Sequence, residues 1–219
     1  MNIPFTDAHT HRLPPPDVRC IFDPEGPSAL PSGYGGGFSL GVHPMNARTA
    51  EIPSSWLEIL RTPRCLAVGE CGLDRRAALS EKEQMTLFRA HIELSEELRK
   101  PLIVHCVRMQ PELLRLRASF APSVPWIVHG CRGSEKKIRE LADSGLILSF
   151  GDGLLRDAGI LEPFFRFLPA GSLLIETDDS GAELPVLYAA AAAYSLTDPE
   201  SFRTQIFQNF RRIFHDEWT

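Results

Sequence analysis

Side chains that bind metal ions recur along this chain, each close to the end of a short apolar run. The clearest run, residues 65–68, is followed by Gly69 and Glu70. A carboxylate at the carboxyl end of a buried strand costs free energy unless it is paired or bound to a metal. We therefore predict that Glu70 is the central metal ligand and bridges two ions. Side chains of ligand type also end the other runs: Asp7, His9, His11, His43, His105, His129 and Asp178.

Two of these histidines are separated by a single residue. On an extended segment His9 and His11 point to the same face, so both imidazoles could reach one cation. The alternative for this pair alone is a polar turn with incidental histidines. With Asp7 and His43 set aside, the imidazoles and carboxylates together suit two divalent cations, such as zinc, manganese or magnesium. Two carboxylates cancel only half the charge of two dications, so the site would attract hydroxide and an anionic substrate such as a phosphodiester.

The elements that must position these side chains alternate between strand and helix from about residue 38 onward. A capping box at Ser80 and Glu83 opens a long amphipathic helix, and a second is predicted at Thr197 and Glu200. Such alternation predicts an α/β fold with a parallel sheet. Several strands that each deliver one polar residue at the same end are how a TIM-like (β/α) barrel builds its site.

The N-terminal part of the chain departs from this alternation. Residues 13–37 are rich in proline and glycine, and they show no helical pattern on either side of a predicted strand at 18–22. We therefore expect a barrel whose helices are missing or reduced near the N-terminus. The apolar side chains of the loop, among them Leu30 and Tyr34, are expected to fold back over the first strands. This favours a monomer, with cover by a second subunit in a homodimer as the alternative.

Composition limits the class of protein. A chain of 219 residues with 43% hydrophobic residues can bury one core, so we predict a single domain over residues 1–219. The net charge of -5 does not attract polyanions over long range, so phosphate binding must be local. Five cysteines without a CxxC pair fit a reducing compartment. With no membrane-length apolar run and no leader pattern, we expect a soluble cytoplasmic protein without membrane contact.

In its motifs the chain resembles the TatD family of metal-dependent hydrolases, members of the amidohydrolase superfamily, many of which are described as deoxyribonucleases. The resemblance covers nearly the whole sequence. It rests on residues 7–11 (DAHTH), 41–44 (GVHP), 69–74 (GECGLD), 103–105 (IVH), 128–134 (VHGCRGS) and 176–178 (ETD). The family implies a TIM-like barrel with a two-metal hydrolytic site. It also implies that one metal is held by His9, His11 and Asp178, the other by His105 and His129, and that Glu70 is shared.

The resemblance further implies that His43 faces the substrate or an additional metal. Three arginines lie just past strand ends, where they could clamp phosphate oxygens or form a solvated rim: Arg75, Arg108 and Arg132. Asp74 is expected to orient a loop or a neighbouring ligand. The residues after His105 and His129 differ from the usual family pattern, and these differences affect substrate identity more than the metal ligands.

These observations predict an enzyme, a metal-dependent hydrolase acting on phosphodiester bonds. The most direct hypothesis is a TatD-type deoxyribonuclease that uses a two-metal-activated water, with Asp178 as the catalytic base and DNA or another phosphodiester as substrate. The first alternative is an amidohydrolase acting on a small amide, ester or phosphomonoester, because the same attack works at carbon. The second is a non-catalytic binding protein on the same fold.

Overall fold

The structure is a computed structural model, and it describes residues 3–215. By their packing the residues form two compact units. We call Ile21–Val128 the central unit. We call the residues up to Cys20 together with those from His129 onward the terminal unit. That the chain is one domain stays a prediction.

Strands and helices alternate along the described chain. The strands are β1 (Thr6–Thr10), β2 (Arg19–Phe22), β3 (Gly37–Leu40), β4 (Cys65–Asp74), β5 (Leu102–Val107), β6 (Trp126–Val128), β7 (Ile147–Phe150) and β8 (Leu173–Ile175). The α-helices are α1 (Leu57–Leu60), α2 (Glu81–Leu98), α3 (Gln110–Phe120), α4 (Glu135–Asp143), α5 (Gly153–Arg156), α6 (Ala158–Phe165), α7 (Leu184–Tyr194) and α8 (Pro199–Phe214). None of the described helices is long and apolar enough to cross a membrane.

The central unit is built on parallel strands that pair in chain order from β2 to β6. Their apolar side chains are buried, as expected for strands covered on both faces. The predicted capping box is present at the start of α2, where Ser80 and Glu83 each bond to the other's backbone N–H. The buried face of α2 includes Phe88, His91 and Ile92, and this helix packs on β4.

Strand β4 is longer than the sequence predicted. We expected it to end at Glu70, but it continues to Asp74, because residues 71–74 pair with residues 104–107 of β5. The register between the two strands shifts between Val68 and Cys71. Glu70 therefore lies in the middle of a strand, at an irregularity of the kind that re-aims side chains next to active sites.

In the terminal unit β7 and β8 form a parallel pair, and Thr10 forms a parallel bridge with Asp178. Strand β8 ends at Ile175, so Asp178 lies three residues beyond the end of the strand. The capping box predicted at Thr197 is wrong. Asp198 caps α8 by accepting a hydrogen bond from the Ser201 N–H at 3.0 Å. Pro199 occupies the first turn, where its missing N–H has no cost.

The front segment matches the prediction that helices are missing or reduced there. Among the described residues no α-helix lies between β1 and β3, only a 3-10 turn at Pro27–Ala29. The Tyr34 ring lies edge-on to Phe22, with ring centroids 5.4 Å apart, and Arg64 donates to the Tyr34 carbonyl at 2.8 Å. Within the central unit the loop therefore folds back over β2.

This packing can be tested with Tyr34→Ala, which removes the ring that covers Phe22. We expect about 1–2 kcal/mol lower stability to urea, because a part-buried aromatic pair is lost. Limited proteolysis between Asp23 and Gly37 should become faster in parallel. Tyr34→Phe is the control, since it keeps the ring and removes only the hydroxyl. Rapid cleavage of the loop in the unmodified protein without loss of stability would contradict this account.

Candidate active site

Three ligand-type side chains come together in the central unit: His43, Glu70 and His105. Each offers one ligand atom, and these atoms lie within 4.8 Å of one another. Glu70 Oε1 lies 3.0 Å from His43 Nε2 and 2.7 Å from His105 Nδ1. Glu70 is buried, so its carboxylate depends on these neighbours in place of water.

The orientation of His43 is determined by its second ring nitrogen. His43 Nδ1 accepts a hydrogen bond from the Met45 N–H at 3.1 Å. An accepting ring nitrogen carries no proton, so the proton of neutral His43 lies on Nε2. His43 therefore presents an N–H to Glu70 rather than a lone pair. This favours a role toward substrate over a role as a ligand of an additional metal.

Asp74 determines which ring nitrogen of His105 carries the proton. Its Nε2 lies 2.9 Å from Asp74 Oδ2, and Arg76 binds both oxygens of the same carboxylate at 3.0 and 2.7 Å. Burial alone would raise the pKa of Asp74, but the hydrogen bonds from Arg76 and His105 outweigh it and hold this pKa well below its usual range. Because an ionised carboxylate only accepts, His105 Nε2 carries the proton. Asp74 thus orients His105, in agreement with its expected role of orienting a loop or a neighbouring ligand.

This arrangement points the unprotonated Nδ1 of His105 at Glu70 Oε1, only 2.7 Å away. Two acceptors at this distance repel each other unless a proton or a cation lies against both, and here the N–H of His43 Nε2 lies 3.2 Å from His105 Nδ1 and 3.0 Å from Glu70 Oε1. A carboxylate–histidine pair with a second carboxylate behind the histidine is also the common arrangement at protein metal sites. The chemistry of the donor set therefore fits a divalent metal.

Two backbone features bring these side chains together, and sequence reasoning missed both. A Cβ at Gly41 would lie 2.5 Å from Gly69 Cα and 2.8 Å from the Glu70 carbonyl, so only glycine permits this approach. The buried Asp23 accepts the Glu70 N–H at 2.8 Å. Asp23 directly follows β2, and a polar residue at that position was the available signal.

His91 is a third residue that the sequence analysis missed. Its Nε2 accepts the Val42 N–H at 3.0 Å, and its Nδ1 lies 2.8 Å from the Leu87 carbonyl. Burial lowers the pKa of His91 to about 4, although the hydrogen bond to Leu87 opposes this shift. The only signal in the sequence was its place on the apolar face of α2, beside Phe88 and Ile92.

A second group of ligand-type side chains lies in the terminal unit: His9, His11 and Asp178. Asp178 Oδ1 is 3.8 Å from His9 Nε2 and 3.5 Å from His11 Nε2. Metal–nitrogen bonds of about 2.1 Å place neighbouring tetrahedral donors about 3.4 Å apart. These distances therefore suit a metal better than direct hydrogen bonds. The ring of His129 lies near that of His9, with centroids 4.6 Å apart.

Two further carboxylates of the terminal unit are buried: Asp7, which the sequence analysis named as a ligand-type residue, and Glu176, which stood in a quoted motif without a role. Asp7 accepts from the backbone and hydroxyl of Thr177 at 2.9 and 2.6 Å. Burial raises the pKa of Asp7 to about 7, against the hydrogen bonds from Thr177. Glu176, also buried, accepts the Gly130 N–H and lies 3.7 Å from His129 Nδ1.

The three predicted substrate arginines are all exposed, but they differ in their partners. Arg75 pairs with Glu81 at 2.9 Å and Glu112 at 3.3 Å. Arg132 lies 3.5 Å from Asp157. No described residue pairs with Arg108, which follows β5 with a φ of 57°. The structure therefore distinguishes Arg108 from the other two.

Comparison with known proteins identifies the family. The model of the TatD-related DNase family matches residues 30–215. The chain belongs to this family. TatD enzymes are metal-dependent hydrolases of phosphodiester bonds, so the predicted enzyme class is confirmed, and an amidohydrolase of small amides or esters is not favoured.

Curated relatives and solved structures agree with this assignment. The chain is 31% identical over 197 residues to the "3'-5' ssDNA/RNA exonuclease TatD" of Salmonella typhimurium, covering 80% of this chain and 76% of the relative. The Klebsiella pneumoniae protein of the same name is 28% identical over 209 residues, covering 84% and 80%. The structure of YJJV, a TatD homolog from Escherichia coli, superposes with a TM-score of 0.79 at 20% identity and covers 99% of this chain and 100% of that one. The predicted TIM-like barrel fold is thereby confirmed.

The neutral, buried state of His91 in this TatD protein predicts a pH-dependent stability. Between pH 4 and 6.5 the unfolded chain binds a proton at this histidine that the folded chain excludes. Stability is therefore full above pH 6.5 and falls as the pH drops toward 4, by on the order of 3 kcal/mol. His91→Gln removes the titration and is the control. Urea unfolding at several pH values should show the advantage of the wild type over this variant shrinking on acidification. If the free energies of unfolding of the two proteins changed in parallel with pH, His91 would not be the group whose pKa is lowered.

Proposed function

We propose that this protein is a metal-dependent exonuclease that removes nucleotides from the 3' end of single-stranded DNA or RNA. The observation that carries the proposal is the spacing of His9, His11 and Asp178, with oxygen–nitrogen distances of 3.5 and 3.8 Å that suit a metal ion. The names of the TatD relatives supply the substrate class and the polarity. Family membership supports the hydrolysis of phosphodiesters rather than small amides.

The residues proposed to hold two divalent metals are those that the motifs predicted, with Glu70 shared: His9, His11, Glu70, His105, His129 and Asp178. Two features of the separate units support this: the donor spacing around Asp178 and the acceptor pair formed by Glu70 and His105. When bound, the metals would supply an activated water near neutral pH and positive charge for the phosphate. Zinc, manganese and magnesium are all compatible with nitrogen and oxygen donors.

The side chains then divide the remaining work. Asp178 accepts the proton of the attacking water, a role for which its carboxylate is suited by its place beside two histidines. His43 uses its Nε2 proton to donate a hydrogen bond toward the reacting phosphate, since its Nδ1 is occupied by the Met45 N–H. Asp74 keeps His105 in the tautomer that leaves Nδ1 free of a proton.

Arg108 is the proposed phosphate contact among the three arginines. Its guanidinium has no carboxylate partner among the described residues, whereas Arg75 and Arg132 are already paired. Its backbone adopts a left-handed conformation that costs a residue with a Cβ about 1–2 kcal/mol. Such strain often accompanies functional positions. The cytoplasmic location and the monomeric state stay predictions of the sequence.

The proposal is tested with end-labelled oligonucleotides. Protein of measured metal content is incubated with single-stranded DNA, single-stranded RNA and duplex DNA, each with manganese, magnesium or zinc. We expect single strands to shorten from the 3' end, and phosphorothioate linkages at that end to block the reaction. Absence of cleavage in protein with demonstrated metal occupancy would refute the proposal.

Asp178→Asn tests the proposed base. An amide cannot accept the proton, so turnover should fall by about a thousandfold or more while much of the metal remains bound. Asp179→Asn, at the exposed neighbouring position, is the matched control and should stay close to the wild type. Metal analysis and kinetics on one preparation decide the outcome. Near-native turnover of Asp178→Asn would show that the base is a different group.

Glu70→Ala tests the central ligand. It removes a buried carboxylate from the proposed shared position, so it should cost more activity and more bound metal than alanine at any one of the histidines. The comparison uses metal content and kcat measured for each variant. If a single histidine change is more damaging than Glu70→Ala, Glu70 is not the shared ligand.

Arg108→Gln and Arg75→Gln form a matched pair for substrate binding. Removal of the unpaired guanidinium should raise KM about tenfold, equal to about 1.4 kcal/mol. Arg75→Gln should change KM less than about twofold, because its charge is already engaged by two glutamates. The measurement is the KM for a single-stranded oligonucleotide at fixed ionic strength. Equal increases in KM for the two variants would contradict the proposal that Arg108, and not Arg75, contacts the phosphate.

A further inference from the structure

A buried histidine on helix α2 is linked to the backbone next to His43. His91 Nε2 accepts the Val42 N–H at 3.0 Å, and Val42 immediately precedes His43. His91 is almost fully buried, and it contacts none of the three side chains of the central cluster through a hydrogen bond that the structure records. Any effect of His91 on the site must therefore pass through the backbone at Val42.

The backbone on both sides of His43 is held by hydrogen bonds to imidazoles. On one side the Val42 N–H donates to His91, and on the other the Met45 N–H donates to His43 Nδ1. Strand β3 ends at Leu40, so the segment that carries His43 has no further support from that strand. The bond to His91 connects this segment to an eighteen-residue helix with a capped start.

The chemical state of His91 suits this task. Its Nδ1 lies 2.8 Å from the Leu87 carbonyl, which can only accept, so Nδ1 carries the proton and Nε2 is left as the acceptor. Burial keeps the ring neutral by lowering its pKa to about 4. A protonated ring would lose its acceptor, and an apolar side chain would leave the Val42 N–H without this partner.

From this geometry we propose that His91 is a positioning residue for His43: it fixes the Val42 backbone so that His43 Nε2 points to Glu70 and the reacting phosphate. The inference rests on the proposed function of His43 as a donor in phosphodiester cleavage. His91 touches neither substrate nor metal, and it acts only through the hydrogen bond to Val42.

The test compares His91→Leu, which removes the acceptor, with His91→Gln, whose side-chain oxygen can accept from Val42. His91→Leu should lower kcat about tenfold, because a displaced catalytic group loses rate steeply with position. KM and metal content should stay unchanged. His91→Gln should recover most of the loss. Ser95→Ala, a buried change on the same helix whose hydroxyl bonds only to the Lys100 carbonyl, controls for stability alone.

A double-mutant cycle separates positioning from general damage. In a His43→Ala background, His91→Leu should cause no further loss of kcat, because the group that it positions is absent. An equal loss in both backgrounds, or a His91→Gln variant as impaired as His91→Leu, would overturn the inference. If His91→Leu does not fold, His91→Asn replaces it, because its amide is too short to reach Val42.

Two measurements on metal-free protein do not depend on activity. The NMR signals of the His43 ring should move in His91→Leu and stay in place in His91→Gln. Hydrogen exchange of the Val42 amide should become at least about tenfold faster in His91→Leu only. A wild type that cleaves no nucleic acid would refute the proposed function, whereas unchanged His43 signals and Val42 exchange would refute the positioning role.

Discussion

The burial of the Glu70 carboxylate is the constraint on which the central unit depends. A charge in that position costs several kcal/mol unless donors or cations lie against it. The N–H of His43 Nε2, 3.0 Å from Glu70 Oε1, offsets part of this cost, and Asp23 accepts the Glu70 backbone N–H. Gly41 permits the approach, since any Cβ there would overlap Gly69. The register of β4 shifts at the same point, between Val68 and Cys71, on either side of Glu70.

A chain of polar contacts leads from the buried Glu70 to the surface. His105 connects Glu70 to Asp74, and Asp74 connects His105 to Arg76 at the exposed edge. Each member holds its neighbour in one protonation state, so the ring nitrogen that faces Glu70 is the one without a proton. In the terminal unit the buried Glu176 lies 3.7 Å from His129 Nδ1, and the buried Asp7 accepts hydrogen bonds from Thr177.

The N-terminal segment supports the site without α-helices among the described residues. No α-helix follows β1 or β2 among the described residues, and a proline- and glycine-rich loop takes that place. Its Tyr34 covers Phe22, while Asp23, just after β2, reaches the backbone of Glu70. The segment therefore delivers a supporting residue to the site, although its described residues form none of the α-helices that normally separate the first strands of a barrel.

The sequence by itself determined the fold class, the family and the ligand-type residues. Strand–helix alternation and short motifs are local patterns, so they can be recognised in a single sequence. It also anticipated the reduced front helices, since proline and glycine exclude them locally. Only the tertiary structure decided that Glu70 lies mid-strand, that Asp74 orients His105, and that Asp23 and His91 hold the backbone around the cluster. Those roles depend on hydrogen bonds between residues as far apart as His91 and Val42, and no spacing in the sequence encodes such a distance. The ion pairs that separate Arg108 from Arg75 and Arg132 were hidden for the same reason, because they are made across loops and helices rather than along one element.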